Sequence, residues 1–243
     1  PPRIRRTSAR RAPLSALSGM GCAHQDKGWA PALFPRWSAS ILAAMSDQPA
    51  DRIARTQVPI HPPIAQRWSP RAFDPEAVLA AEQVTALLEA ARWAATWGRR
   101  QPVRFLVGIR GDDTFAGLAD LLARGNAWAK TAGALILLCA DEGDDDNTAL
   151  YSAVDGGSAM ANLSVEAVAR GLISHPMAGF DVDGARAAFD VPAGVRPLMV
   201  IAVGSLGDYA TADPQILERD SMPRERLPLE QIAFRQTWGR PWR

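Results

Sequence analysis

The 243-residue chain has little cysteine, histidine or lysine, and each shortage removes a class of chemistry. Two cysteines, Cys22 and Cys139, are too few for a disulfide framework and have no zinc-ligand spacing. That usage fits a reducing compartment, so the cytoplasm is the expected location. Three scattered histidines, His24, His61 and His175, form no His/Ser/Asp or His/Cys constellation. A structural or solvent-exposed role is the expectation for His175. No apolar run approaches the length of a membrane helix. A net charge of +1 gives no case for nucleic-acid or membrane binding by the whole chain. No Gly-x-Gly-x-x-Gly fingerprint of a dinucleotide fold is present. Lys27 and Lys130 are the only lysines, so positive charge is carried by arginine, which reads as compositional bias.

What is present is ordinary for a globular protein: 47% hydrophobic and 22% charged residues. The length suits one large domain, or a medium domain with a tail. Charge is uneven. Residues 1–44 hold seven of the 27 basic side chains and one of the 26 acids, leaving 20 against 25 in the remainder. This Pro-, Ser-, Gly- and Arg-rich stretch has no sustained period. Arg5-Arg6 imitates a twin-arginine signal, but Ile41-Leu-Ala-Ala44 is too short for its apolar region. Residues 1–44 are therefore expected to be a disordered upstream tail, with Met45-Ser-Asp as the natural start. The alternative is a basic nucleic-acid-binding arm, which would show steep salt dependence. The expected organisation is this tail, a lead-in at 45–63, a folded domain at 64–234 and a C-terminal tail at 235–243.

Within the domain, Val84, Leu87, Leu88, Ala91 and Ala95 repeat at helical spacing, as do Phe115, Leu118, Leu121 and Leu122. Phe105–Ile109, Leu135–Leu138 and Leu198–Gly204 read as strands, with Cys139 as a small buried hydrophobe. Tyr151–Arg170 reads as a long helix rich in small residues and ended by Gly171. Its bare surface suits either a core position or a helix–helix dimer contact. Asp183 is the expected cap of a short helix through Phe189. This mixture, without a strict βαβ period, predicts an α+β fold.

Three segments carry candidate binding groups. Arg67, Ser69 and Arg71 alternate, so an extended backbone puts two guanidinium forks and a hydroxyl on one face. That is a cradle for phosphate or sugar hydroxyls; two solvated arginines are the plainer reading. Arg224 and Arg226 are spaced in the same way, where a charged surface turn is the alternative. Ala178 and Gly179, in Pro176-Met-Ala-Gly-Phe-Asp181, offer bare backbone N–H groups to a flat ligand, or form an ordinary loop.

The order of these segments resembles the nitroreductase family: Arg-x-Ser-x-Arg-x-Phe, a helix, Gln101-Pro102 entering a strand, Gly171-Leu-Ile-Ser-His-Pro-Met-Ala-Gly-Phe-Asp181, Ala202-Val-Gly204 and finally Arg224, Arg226 and Pro228. The resemblance spans roughly residues 64–234. It implies an α/β/α sandwich with a mostly antiparallel sheet flanked by helices, an intertwined homodimer, and FMN at each subunit interface. Arg67, Ser69 and Arg71 would contact the FMN phosphate and ribityl chain, and Arg224 and Arg226 would complete the phosphate site. Backbone N–H groups of Ala178 and Gly179 would face the N5 and O4 edge. Asn126 is the candidate at the pyrimidine edge. The family's Pro-Ser-Ser-x-Asn-x-Gln-Pro-Trp run is here Ala95-Thr-Trp-Gly-Arg99-Arg-Gln101-Pro-Val103. Thr96 keeps a hydroxyl, Gln101 is retained and Arg99 replaces the Asn, where it meets a phosphate, an acidic substrate or solvent. Ala178 stands where some relatives have Glu, so only its backbone role survives. The implied activity passes hydride from NADPH or NADH, through the flavin, to a small acceptor such as a nitroaromatic or quinone, with ping-pong kinetics. A flavin store without turnover, or an enzyme that consumes its flavin, are the alternatives on the same fold.

Overall fold

The computed structural model describes residues 52–243. The expectations for residues 1–44 and for Cys22 and His24 lie outside the described residues.

Four strands form one sheet: β1 (Val103–Ile109), β2 (Ala134–Asp141), β3 (Ile173–Met177) and β4 (Val195–Gly204). Their order is β1-β2-β4-β3, with every neighbouring pair antiparallel. Among the described residues six α-helices accompany it: α1 (Pro62–Gln66), α2 (Ala81–Arg92), α3 (Asp113–Asp120), α4 (Asp146–Ala169), α5 (Val182–Ala188) and α6 (Pro214–Ser221).

β2 is a continuous apolar run because both its faces are covered. Successive side chains alternate across a strand. Leu135, Leu137 and Cys139 therefore pack with Phe115 and Leu118 of α3 and Ala185 of α5. Ala134, Ile136 and Leu138 face the other way, onto Leu87 of α2 and Leu163 of α4. Burial pushes the Cys139 thiol up to about 11, so it is an inert hydrophobe, as its setting in the run predicts. The β2–β4 register shifts between Leu138 and Cys139, and Pro197 stands opposite Cys139. Proline has no N–H for the ladder, and an irregularity beside it avoids an unmet bond.

The strands fall where the apolar runs predict, each extended by a few residues. Four local readings change. α4 starts before Tyr151, because Asp145 caps it: its carboxylate accepts from the Thr148 N–H at 3.0 Å and from Thr148 Oγ1 at 2.6 Å. α5 is capped by Asp181 and not by Asp183, with Asp181 Oδ1 accepting from Gly184 N at 2.9 Å. The stretch after α4 is not all loop, since Ile173–Met177 forms an edge strand. Pro176 obscures that strand in the sequence, although an edge tolerates proline. Ala95, Leu121 and Leu122 follow their helices instead of lying within them.

The small residues of α4 serve the core on one side. A Cβ on Gly156 would lie 2.7 Å from Leu198 Cδ1 and 3.2 Å from Leu138 Cδ2, so glycine lets the helix settle on the sheet. On the other side Gly157 meets nothing within 4 Å, and Leu150 and Val154 are exposed.

The segment after α1 runs extended beside the chain that leaves β4. Phe73 bridges Leu206, Asp74 N donates to Ser205 O at 3.1 Å, and Gly207 N donates to Ala72 O at 3.0 Å. The ends of the domain are tied as well. Arg52 Nη1 donates to Met222 O at 2.7 Å, and Trp242 N donates to Ala233 O at 2.9 Å. Residues 235–243 thus turn back on the segment just before them, with Phe234 bridging Pro241.

Gly108 on β1 tests the sheet–helix fit. A Cβ there would stand 2.4 Å from Phe115 N and 2.5 Å from Phe115 Cα, which are backbone atoms that cannot rotate away. Gly108→Ala should push α3 off the sheet and destabilise the fold by about 1–3 kcal/mol. A urea midpoint equal to wild type would refute that packing.

Candidate functional site: an arginine-lined cleft

Extended backbone after α1, the last turn of α6 and the segment behind it enclose an open cleft of about 360 Å³. Arg67, Ser69 and Arg71 all line it, as their alternation predicts, and Arg224 and Arg226 join them from the C-terminal side. Arg52, Arg219, Asp220 and Glu225 complete its charged lining.

The arginines divide by what holds them. Arg224 is a brace: it donates to Arg52 O, and to Arg67 O at 2.9 Å, tying three separate segments together. Arg71 is clamped by Asp220, with Arg71 Nη1 donating to Oδ1 at 2.6 Å and Arg71 N donating to Oδ2 at 2.7 Å. Arg67 Nη1 reaches Ser69 Oγ at 3.3 Å. Arg226 Nη1 donates to the neighbouring Glu225 carbonyl, at 2.7 Å. Burial, then the Arg226 charge, lowers the Arg67 pKa. Arg224 is lowered by burial and then by Arg67, Arg226 and Arg52. Like charges are thus crowded together, and Asp220, the one buried carboxylate of the lining, is already committed to Arg71. Such a set favours an anion with several acceptor oxygens.

Ala178 and Gly179 lie past the end of β3. Gly179 O accepts from Ala123 N at 3.0 Å and from Asn126 Nδ2 at 2.9 Å. Neither the Ala178 nor the Gly179 N–H donates to a side chain or a loop carbonyl among the described residues. Asn126 therefore holds the Gly179 loop directly, and a Cβ on Gly179 would sit 2.8 Å from its Nδ2. This loop is linked to the cleft. His175 Nδ1 lies 2.9 Å from Pro70 O, and since a carbonyl only accepts, Nδ1 carries the proton. Trp128 packs on His175 at 4.5 Å and on Phe73 at 6.1 Å, with the Arg71 guanidinium 5.9 Å from its ring.

Thr96 and Gln101 are elsewhere, lining a second cavity of about 370 Å³ with Asp155, Phe105 and residues of α2. Arg99 stands beside it, exposed, with a left-handed φ of 63° next to Gly98 at 62°. The loop is held by the Trp97 N–H donating to the Asp155 carboxylate at 3.1 Å, and by Trp97 stacking on Tyr151 at 5.0 Å. Within one chain, then, Arg67, Ser69, Arg71, Arg224 and Arg226 come together; Asn126, Ala178 and Gly179 form an adjoining group; Thr96, Arg99 and Gln101 do not join them. Sequence reasoning missed Asp220 and Tyr209. Asp213 followed by Pro214 is a cap and first-turn signal that would have located α6, though not the partner of its buried acid.

A family model described as the nitroreductase family matches residues 64–205. An uncharacterized 15.4 kDa protein from Mycolicibacterium smegmatis is 62% identical over 147 residues, covering 57% of this chain and 99% of that protein. Among solved structures, an oxidoreductase containing FMN shares 28% identity at a TM-score of 0.69, covering 76% of this chain and 96% of its own. A nitroreductase in complex with FMN from Exiguobacterium sibiricum shares 22% identity at a TM-score of 0.61, over 74% of this chain and 98% of its own; that likeness concerns the fold. Among the described residues, no helix is long and apolar enough to cross a membrane, and no cluster of His, Cys, Asp and Glu is placed to hold a metal ion.

His175 gives the site a measurable pH signature. Burial, with Arg71 beside it, holds its pKa down to about 4, against an unfolded value near 6.5. Between those values the unfolded chain binds more protons, so stability rises with pH. Stability should fall as pH drops from about 6.5 to 4, with a slope from this group of up to about 1.4 kcal/mol per pH unit. His175→Gln should flatten the urea-midpoint profile over that window. An unchanged slope would show that folding does not lower the His175 pKa.

Proposed function

The chain belongs to the nitroreductase family, and on that premise we propose that it is an FMN-dependent oxidoreductase working as a homodimer in the cytoplasm. NADPH or NADH is the electron donor, and a nitroaromatic, a quinone or a similar small molecule is the acceptor. The observation that carries this reading is the crowded guanidinium set of Arg67, Arg224 and Arg226: beside the effect of burial, the Arg226 charge lowers the Arg67 pKa, and the Arg67 and Arg226 charges lower that of Arg224. A phosphate monoester brings close to two negative charges and three acceptor oxygens, and so fits that donor set.

Arg67 and Arg226 are the phosphate ligands in this reading. Ser69, within reach of Arg67, faces the sugar-like chain, and Arg224 keeps the segments around Arg52 and Arg67 in place. The Ala178 and Gly179 N–H groups stabilise charge that develops along one edge of the ring, and Asn126 keeps their loop in position. FMN held by these residues would supply the redox chemistry between NADPH or NADH and the acceptor, with ping-pong kinetics. No protein nucleophile is needed.

Thr96, Arg99 and Gln101 reach the same flavin from a second subunit. Two observations support that arrangement. These residues line or adjoin a cavity separate from the arginine cleft of their own chain. Large apolar side chains around them are also bare, including Trp93 at 75% exposure, and Leu150 and Val154 on the outer side of α4. Such surface favours a partner.

Arg67→Ala and Arg226→Ala should each weaken FMN binding roughly tenfold to a hundredfold, by loss of a charge-assisted hydrogen bond worth about 1.5–3 kcal/mol. Arg→Lys should rescue only in part, because a point charge lacks the fork. Riboflavin, without the phosphate, should bind wild type and variants about equally. Fluorescence quenching measures both ligands, and equal losses for both would remove these arginines from the phosphate site. Flavin that bleaches with NADPH or NADH and recovers with a quinone supports turnover. A monomeric mass with flavin still bound would count against the dimer.

A further inference from the structure

Asp220 is a heavily engaged buried carboxylate beside the cleft. It lies in the last turn of α6 with its side chain 1% exposed. It accepts three hydrogen bonds: from Arg71 N at 2.7 Å, from Arg71 Nη1 at 2.6 Å and from Tyr209 Oη at 2.7 Å. One carboxylate thus grips Arg71 at both its backbone and its guanidinium. Tyr209 is itself held by stacking on Trp68, with centroids 6.4 Å apart and planes 23° from parallel. Burial, reinforced by the Asp220 carboxylate, pushes the Tyr209 phenol up, so it remains an O–H donor. On its far side Arg71 lies over Trp128, which belongs to the aromatic group leading to His175 and the Gly179 loop. Arg71 therefore spans the arginine cleft and that loop.

We propose that Asp220 and Tyr209 are positioning residues that aim Arg71 into the cleft, so that they govern flavin binding without touching the flavin. This rests on the flavin reading above. Two effects of removing the Asp220 charge oppose each other. The field in the cleft becomes more positive, which draws an anion. Arg71 also loses the acceptor that fixes its direction, and an Asn amide in that place turns N–H donors toward the donors of Arg71 or Tyr209. The clamp dominates, because a guanidinium without a partner explores many rotamers and must be ordered again when ligand binds. The two effects also differ in kind. A field acts on the ligand whether or not Arg71 is present, whereas a clamp acts only through Arg71.

A double-mutant cycle separates them. The readout is the FMN dissociation constant of the full chain, followed by flavin fluorescence on dilution. Arg71→Ala should weaken FMN roughly tenfold to a hundredfold, and Asp220→Asn roughly tenfold. In the Arg71→Ala background, Asp220→Asn should add less than about twofold. Tyr209→Phe, which keeps the carboxylate, should cost about threefold and lose that effect in the same background; it carries the cycle if Asp220→Asn does not fold. The proposal is overturned if Asp220→Asn binds FMN as well as or better than wild type, or if its effect survives without Arg71. Wild-type protein that binds no FMN would overturn the flavin reading itself. Tight wild-type binding with additive variants would overturn only the positioning role.

Discussion

β2 is buried along seven of its eight residues, so apolar surface must cover both its faces. That requirement arranges the molecule. α3 and α5 go to one face and α2 and α4 to the other, and antiparallel neighbours such as β1 and β2 are joined through helical segments instead of tight hairpins. The polar groups then collect where segments leave the layers. The cleft lies beside the chain that exits β4, where residues 71–74 run alongside 205–209 and α6 returns Asp220 beneath Arg71.

Within the cleft, charge and hydrogen bonding separate roles that residue type alone does not distinguish. Six guanidinium groups share the lining. Arg224 spends its donors on the carbonyls of Arg52 and Arg67, and Arg71 spends one on a buried carboxylate. Carbonyls carry no net charge, so the brace holds Arg224 while leaving its field in the cleft. Repulsion among Arg67, Arg224 and Arg226 is the electrostatic cost of that arrangement, and a bound anion relieves it. Asp220 offsets the charge of Arg71 locally and fixes its direction. One constellation thus contains both a site for charge and the scaffold that shapes it.

The Trp128–His175–Phe73 group joins this cleft to the Gly179 loop by packing. His175 contributes as a neutral ring, with one nitrogen on Pro70 O and its face against Trp128. Keeping it neutral avoids another positive charge beside Arg71. This is a physical reason for a histidine near the site that is structural in its contacts.

Much of the fold was legible from local pattern. The run at 134–139 showed a buried strand, the spacing at 84–91 a helix, and the alternation of Arg67, Ser69 and Arg71 one shared face. Each follows from backbone period alone, which is set by neighbours in the chain. The sequence by itself also determined which groups were available: abundant arginine, little cysteine or histidine, bare backbone at Ala178 and Gly179. It did not reveal that Pro176 lies within an edge strand, that Asp181 rather than Asp183 caps α5, or that Asn126 holds Gly179 from 53 positions away. Tertiary structure alone decided which arginine braces the segments and which is clamped by a carboxylate, because that choice depends on Asp220 and the carbonyls of Arg52 and Arg67, which come from distant parts of the chain. It also placed Thr96 and Gln101 in a different cavity from Arg67. Local period reports which face a side chain takes; only the packing of remote segments determines what that face meets.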